Sequence, residues 1–158
     1  MCKVADAAMT MVNQSIDLVN QTGDSRYYTD FYKLHKLLYY AQGYMLVHYK
    51  KRLFDEDICA HKCGPFIKEL LDLDISYDTI QQRFCAEDVY PLTSDRMDAI
   101  AHTLRRFGTM SKDELVNRTK REWLYQKYGD ESDVDAKRVI PCDDMAKATD
   151  IFDPYNAA

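Results

Sequence analysis

The stretch from Phe31 to Tyr49 constrains the fold more than any other part of the chain, because its apolar residues cover most of a helix's circumference. Phe31, Leu34, Leu37, Leu38, Ala41, Met45 and Leu46 follow helical spacing, and Tyr39, Tyr40 and Tyr44 widen the stripe. Such a helix needs neighbours on several sides, so it is expected at the centre of the molecule, over about 30–49, with Thr29 or Asp30 as its N-cap. Lys33, Lys36 and Gln42 interrupt the apolar surface. They either satisfy buried backbone carbonyls or carboxylates, or form a recognition groove. Gly43 in a helix interior is less favourable than Ala by about 1 kcal/mol, which points to close approach of another part of the chain, the first helix or the strand.

The flanking segments supply the neighbours. Val4 to about Gln21 reads as an amphipathic helix stopped by Gly23. Thr93 or Ser94 caps a helix that turns Met97, Ile100, Ala101, Leu104 and Phe107 inward and ends at Gly108. Ser111 and Glu114 have capping-box spacing and open a short helix, a turn spans Trp123 to Tyr128, and Pro141 to Ile151 forms a last helix with Met145 and Ala148 inward. From Leu53 to Cys63 the alternation has a period of two and predicts a short strand, with Gly64-Pro65 reversing the chain and Pro65 opening a helix to about Leu73. A second strand is expected at about 85–91. With only 5 Gly and 4 Pro in 158 residues, an all-β sandwich is disfavoured. The expected fold is mostly α, a compact single domain over 1–158 around the central helix, with a small β element.

Charge and composition narrow the function classes. The formal net charge of −5 disfavours nucleic-acid and anionic-membrane partners. No apolar run reaches the roughly 20 residues that span a bilayer, and Asp6 interrupts what would be a leader's apolar core. Five scattered cysteines suit a reducing compartment, so the expected location is the cytoplasm.

Cys59, His61 and Cys63 are the one group with metal-ligand chemistry, but adjacent same-face positions on a strand diverge rather than converge on a tetrahedral ion. Neither a metal nor a cofactor is expected. Cys59 and Cys63 are read as packing inward, with His61 partly covered. A Cys–His pair meeting in space stays open as a catalytic alternative, yet no nucleophile elbow, phosphate loop or zinc-protease motif accompanies it, so the chain is read as a non-enzyme.

Charge is also unevenly distributed. Residues 105–127 hold seven Lys or Arg against three acids, whereas 130–158 hold eight acids against three bases. The two segments either pair within the molecule or present a dipolar surface to a partner. Twelve tyrosines exceed what a core of this size needs. Arg118, Lys120, Arg121, Trp123, Tyr125 and Tyr128 therefore form the candidate protein-binding surface, with core packing of Trp123 as the alternative.

The run Lys33-Leu34-His35-Lys36-Leu37-Leu38-Tyr39-Tyr40-Ala41-Gln42-Gly43 closely resembles the opening signature of the Panacea domain, the SocA-like antitoxin family. The resemblance continues through Leu53-Phe54-Asp55-Glu56, then Gly64-Pro65-Phe66-Ile67, Leu115 and Glu122-Trp123, over about 30–151. Lys33, Lys36, Leu38, Gln42, Gly43, Gly64, Pro65 and Glu122 are the motif residues, read as mainly structural. The chain departs from the pattern at His61 and Cys63, where an aromatic residue commonly precedes Gly-Pro, and at Lys120-Arg121, where a His often stands. The resemblance implies a helical antitoxin that binds a cognate toxin encoded in an adjacent gene. In the SocA-like branch it implies a proteolytic adaptor for an ATP-dependent protease. A phage-encoded regulator or anti-defence protein is the alternative.

Overall fold

The computed structural model describes residues 2–72, 91–129 and 138–153. At its centre is α2 (Phe31–Tyr44), whose side chains from Lys33 to Tyr44 are all buried. Asp30 caps it by accepting from the Lys33 backbone N–H at 2.8 Å. The helix runs on through a π-helical turn, Met45–Tyr49, before Lys50 leaves in a left-handed conformation at φ 59°.

Three helices enclose α2. The first, α1 (Val4–Thr22), ends at Gly23, which takes φ 73°. Its N-terminus is held by Glu56, whose carboxylate accepts from Val4 N–H at 2.9 Å, so this loop acid caps a helix. The second, α3 (Ser94–Phe107), buries Ala99, Ile100, Thr103, Leu104 and Phe107. Met97 and Ala101, expected inward, lie further out on that helix. The third, α4 (Lys112–Arg121), begins at Ser111, whose hydroxyl accepts from Glu114 N–H at 3.2 Å. The expected turn after it is helical: α5 covers Trp123–Tyr128. The last expected helix is two, α6 (Cys142–Lys147) and α7 (Thr149–Phe152), broken at Ala148 with ψ 56°.

The β element differs from expectation in its partners. Strand β1 (Cys59–His61) pairs antiparallel with β2 (Gly64–Phe66), so Pro65 lies in a strand opposite Ala60 and does not open a helix. A two-residue turn, Lys62-Cys63, joins them, and Gly64 closes it at φ 100°. A 3-10 turn over Lys68–Asp72 follows. The third strand, β3 (Arg138–Val139), pairs with β1 on its other edge, giving the order β2-β1-β3. Of the expected strand at 85–91, residues 85–90 lie outside the described residues and Pro91 is irregular.

Among the described residues, no helix is long and apolar enough to cross a membrane.

Candidate functional site

The junction of α4 and α5 brings together most of the residues singled out in the sequence. Arg118, Arg121, Glu122 and Trp123 line an open pocket of about 380 Å³, completed by Asp150 and Ile151 of α7. Arg118 and Arg121 are three apart on α4 and share one side of it. The Arg118 guanidinium carbon stands 5.2 Å from the centre of the Phe107 ring, and its Nε is buried without a hydrogen-bond partner among the described residues. Arg121 is exposed and, among the described residues, forms no ion pair.

Glu122 is the residue at which the chain turns from one helix into the next. Its side chain reaches inward, accepting from the Tyr39 hydroxyl at 2.9 Å and the Tyr40 hydroxyl at 2.8 Å. Burial pushes the Glu122 carboxyl up to about 7, against the opposing pull of the two tyrosines and Arg118. The same burial, with Glu122 beside them, raises both tyrosine hydroxyls above the ordinary phenol range.

Trp123 is 41% exposed, so it does not simply close the core. Its indole N–H donates to both carboxylate oxygens of Asp150, at 3.2 and 3.1 Å. Tyr128 donates its hydroxyl to Asp144, which also pairs with Lys127 at 3.0 Å. Two acids of the C-terminal segment, Asp144 and Asp150, therefore pair with the basic, aromatic segment within the molecule. Lys120 is half-buried, and its carbonyl accepts from Gln126 at 3.2 Å. Tyr125 corrects the sequence reading. It is buried, its hydroxyl donates to the His61 carbonyl, and it anchors α5 to the hairpin instead of facing outward.

The polar seam of α2 resolves into structural contacts. The Lys33 ammonium, on a side chain left 2% exposed, donates to the carbonyls of Arg26 at 2.8 Å, Tyr28 at 3.2 Å and Gly108 at 2.5 Å. Gln42 accepts from Leu53 N–H at 2.6 Å and donates to the Phe54 carbonyl at 3.0 Å. Lys36 is equally buried beside Gly64 and Thr119, and burial pushes its amine down to about 8. Leu38 is core. The neighbour that Gly43 admits is neither α1 nor a strand but the Phe152 ring of α7.

On the hairpin, the inward residues are Ile58 and Ala60; Cys59 and His61 are half-covered and Cys63 is exposed, contrary to the inward packing expected for the two cysteines. Among the described residues, no three His, Cys, Asp or Glu side chains are grouped to hold a metal ion. His35 accepts from Ile67 N–H through Nδ1 at 3.0 Å, while Nε2 is buried without a partner among the described residues. Its ring stacks on Phe66 at 4.9 Å between centroids, and burial pushes its pKa down to about 3.

The matching family model is the one described as Antitoxin SocA-like, Panacea domain, and it covers residues 34–124, more than half of the chain. The chain belongs to this family. The matched part of the Panacea domain runs from α2 to the start of α5 and so contains Arg118, Arg121, Glu122 and Trp123. Asp144, Asp150 and Phe152, which pack onto it, come from beyond its end. No curated protein and no solved structure matches the chain.

The acids at 144 and 150 and the paired hydroxyls of Tyr39 and Tyr40 were not among the candidate residues read from the sequence. The signal for the two acids is the opposite charge of the two C-terminal segments; for the tyrosine hydroxyls the sequence carries none.

Proposed function

We propose that this chain is the antitoxin of a toxin–antitoxin pair and neutralises its cognate protein toxin by direct stoichiometric binding in the cytoplasm, without a catalytic step or cofactor. The family match over residues 34–124 carries this reading. The contact surface is the edge of α4 and α5 on which Arg121 and Trp123 are exposed and Arg118, Lys120 and Tyr128 half-buried. Arg, Trp and Tyr are the residue types that most often dominate interface energies, and a basic edge on a protein of net charge −5 steers an acidic partner onto it. The same contact suits an adaptor that hands the bound toxin to an ATP-dependent protease.

The test is co-expression with the product of the neighbouring gene, which is expected to be toxic alone and harmless with this protein. Changing the exposed Arg121 to Glu is expected to preserve the fold and to weaken protection. Full protection by that variant would remove the surface assignment, and a neighbouring product that is harmless alone would remove the antitoxin reading. The toxin's steady-state level separates the two modes: it falls on co-expression if the protein is an adaptor and holds if binding alone inhibits.

A further inference from the structure

The indole N–H of Trp123 is already occupied by a carboxylate, and that carboxylate comes from outside the matched domain. Asp150 is exposed, and both of its oxygens accept from Trp123 Nε1 at 3.2 and 3.1 Å. Four residues further along the same helix, Lys127 and its neighbour Tyr128 share the carboxylate of Asp144. Two acids of one C-terminal segment therefore sit on two successive turns of one side of α5. Around them stand two guanidinium groups. Arg121 is exposed with no ion pair among the described residues, and Arg118, set against the Phe107 ring, lines the same open pocket beside Asp150. Glu122, at the back of the pocket, has both oxygens engaged by Tyr39 and Tyr40.

We propose that the pocket between Arg118, Arg121 and Trp123 is a receptor for an acidic side chain of a protein partner, and that Asp150 is a resident competitor which the partner's carboxylate displaces from the indole. The inference rests on the surface assignment made above and deepens it by naming the chemistry of the contact. Displacement requires little rearrangement. Phe152, buried against Gly43, keeps α7 in place while the exposed Asp150 side chain rotates into water. The incoming carboxylate gains what Asp150 lacks, charge-assisted and potentially bidentate bonds to guanidinium groups. Asp150 thereby lowers the affinity for weakly acidic surfaces and leaves the pocket to a partner whose acid reaches both arginines.

Trp123 is the sole tryptophan, so its emission reports the pocket directly. The experiment titrates the full chain with a hexaglutamate peptide and follows that emission, with a hexaglutamine peptide as the uncharged control. Hexaglutamate is expected to give a saturable change that weakens as salt is raised, and hexaglutamine none. Asp150→Asn is expected to bind hexaglutamate about three- to ten-fold more tightly, the factor for a charge-assisted competing hydrogen bond weakened to a neutral one. Asp143→Asn removes the same charge from the neighbouring helix without touching Trp123 and is expected to change affinity by far less. The proposal is overturned if wild type gives no response, if Asp150→Asn binds no more tightly than wild type, or if Asp143→Asn tightens binding equally. These outcomes are separate from failure of the functional reading, since the peptide assay needs no toxin. Neutralisation with an unchanged Asp150→Asn affinity removes the competitor and leaves the antitoxin.

Discussion

The ring of Phe152 occupies the volume in which a side chain at Gly43 would begin. The same ring meets Tyr39 edge-on at 5.2 Å, so α7 is seated on α2 directly behind the pair of tyrosines that hold Glu122. Gly43→Ala is expected to destabilise the fold by about 1–3 kcal/mol through overpacking, and Phe152→Ala by about 3–5 kcal/mol through the lost ring. Because one ring accounts for both effects, the double variant should fall short of the sum. Denaturant unfolding of the four proteins measures the coupling, and strict additivity would show that the two residues do not interact.

Lys33 draws three backbone carbonyls, from two separate turns, onto the first part of α2. Lys33→Met keeps most of the buried stem and removes the donors, so stability should drop by at least about 2 kcal/mol. Amide exchange should rise at Arg26–Tyr28 and around Gly108 together. A variant as stable as wild type would mean that these carbonyls are served by water.

Glu122 gives stability a specific dependence on pH. Its folded carboxyl titrates at about 7, above the ordinary value of 4.5 that the unfolded chain has. Between those two values the folded state holds the extra proton, so this group's contribution falls as pH rises from 4.5 to 7 and stays low above. Glu122→Gln should abolish that slope. The stability of the variant relative to wild type is therefore expected to increase from pH 4.5 to pH 7, measured by denaturant midpoints; a difference that is flat with pH would place the carboxyl in its ordinary range.

His35 acts in the opposite sense over an overlapping window. Its folded pKa of about 3 lies below the ordinary 6.5, so as pH falls through that window only the unfolded chain gains a proton and stability is lost. Nuclear magnetic resonance of the imidazole should show a neutral ring, protonated at Nε2, that does not titrate between about pH 8 and pH 4. A midpoint near 6.5 would mean that the ring is hydrated in the folded protein.

Periodicity located α1, α2, α3 and α4 because each carries an apolar stripe or a capping residue that acts over one turn of chain. It missed α5, a helix of six residues with no stripe of its own, held by Tyr125 against the hairpin. Gly64-Pro65 misled because the two residues suit a helix start as well as an edge strand, and only the pairing with Cys59–His61 decides between them. The strand partner, Arg138–Val139, is too short to leave a pattern. At the site, Arg118, Arg121 and Trp123 were legible from residue type. The burial of Tyr125 and the seating of Asp150 on Trp123 were not, since both depend on contacts between residues far apart in sequence.

The π-helical turn at Met45–Tyr49 inserts one residue more than an α-helical turn would hold, and residues five apart fall on one side of it. That places the hydroxyls of Tyr44 and Tyr49 on a single oxygen of Asp98, at 2.8 and 2.7 Å. Deleting one residue between Met45 and His48 would restore α geometry and leave the two tyrosines four apart, still on one side of the helix, so the π turn absorbs the extra residue without moving either hydroxyl to another face. A relative with an uninterrupted helix here would need a one-residue gap between positions 45 and 49, and an ungapped comparison would misassign every position downstream as far as the hairpin.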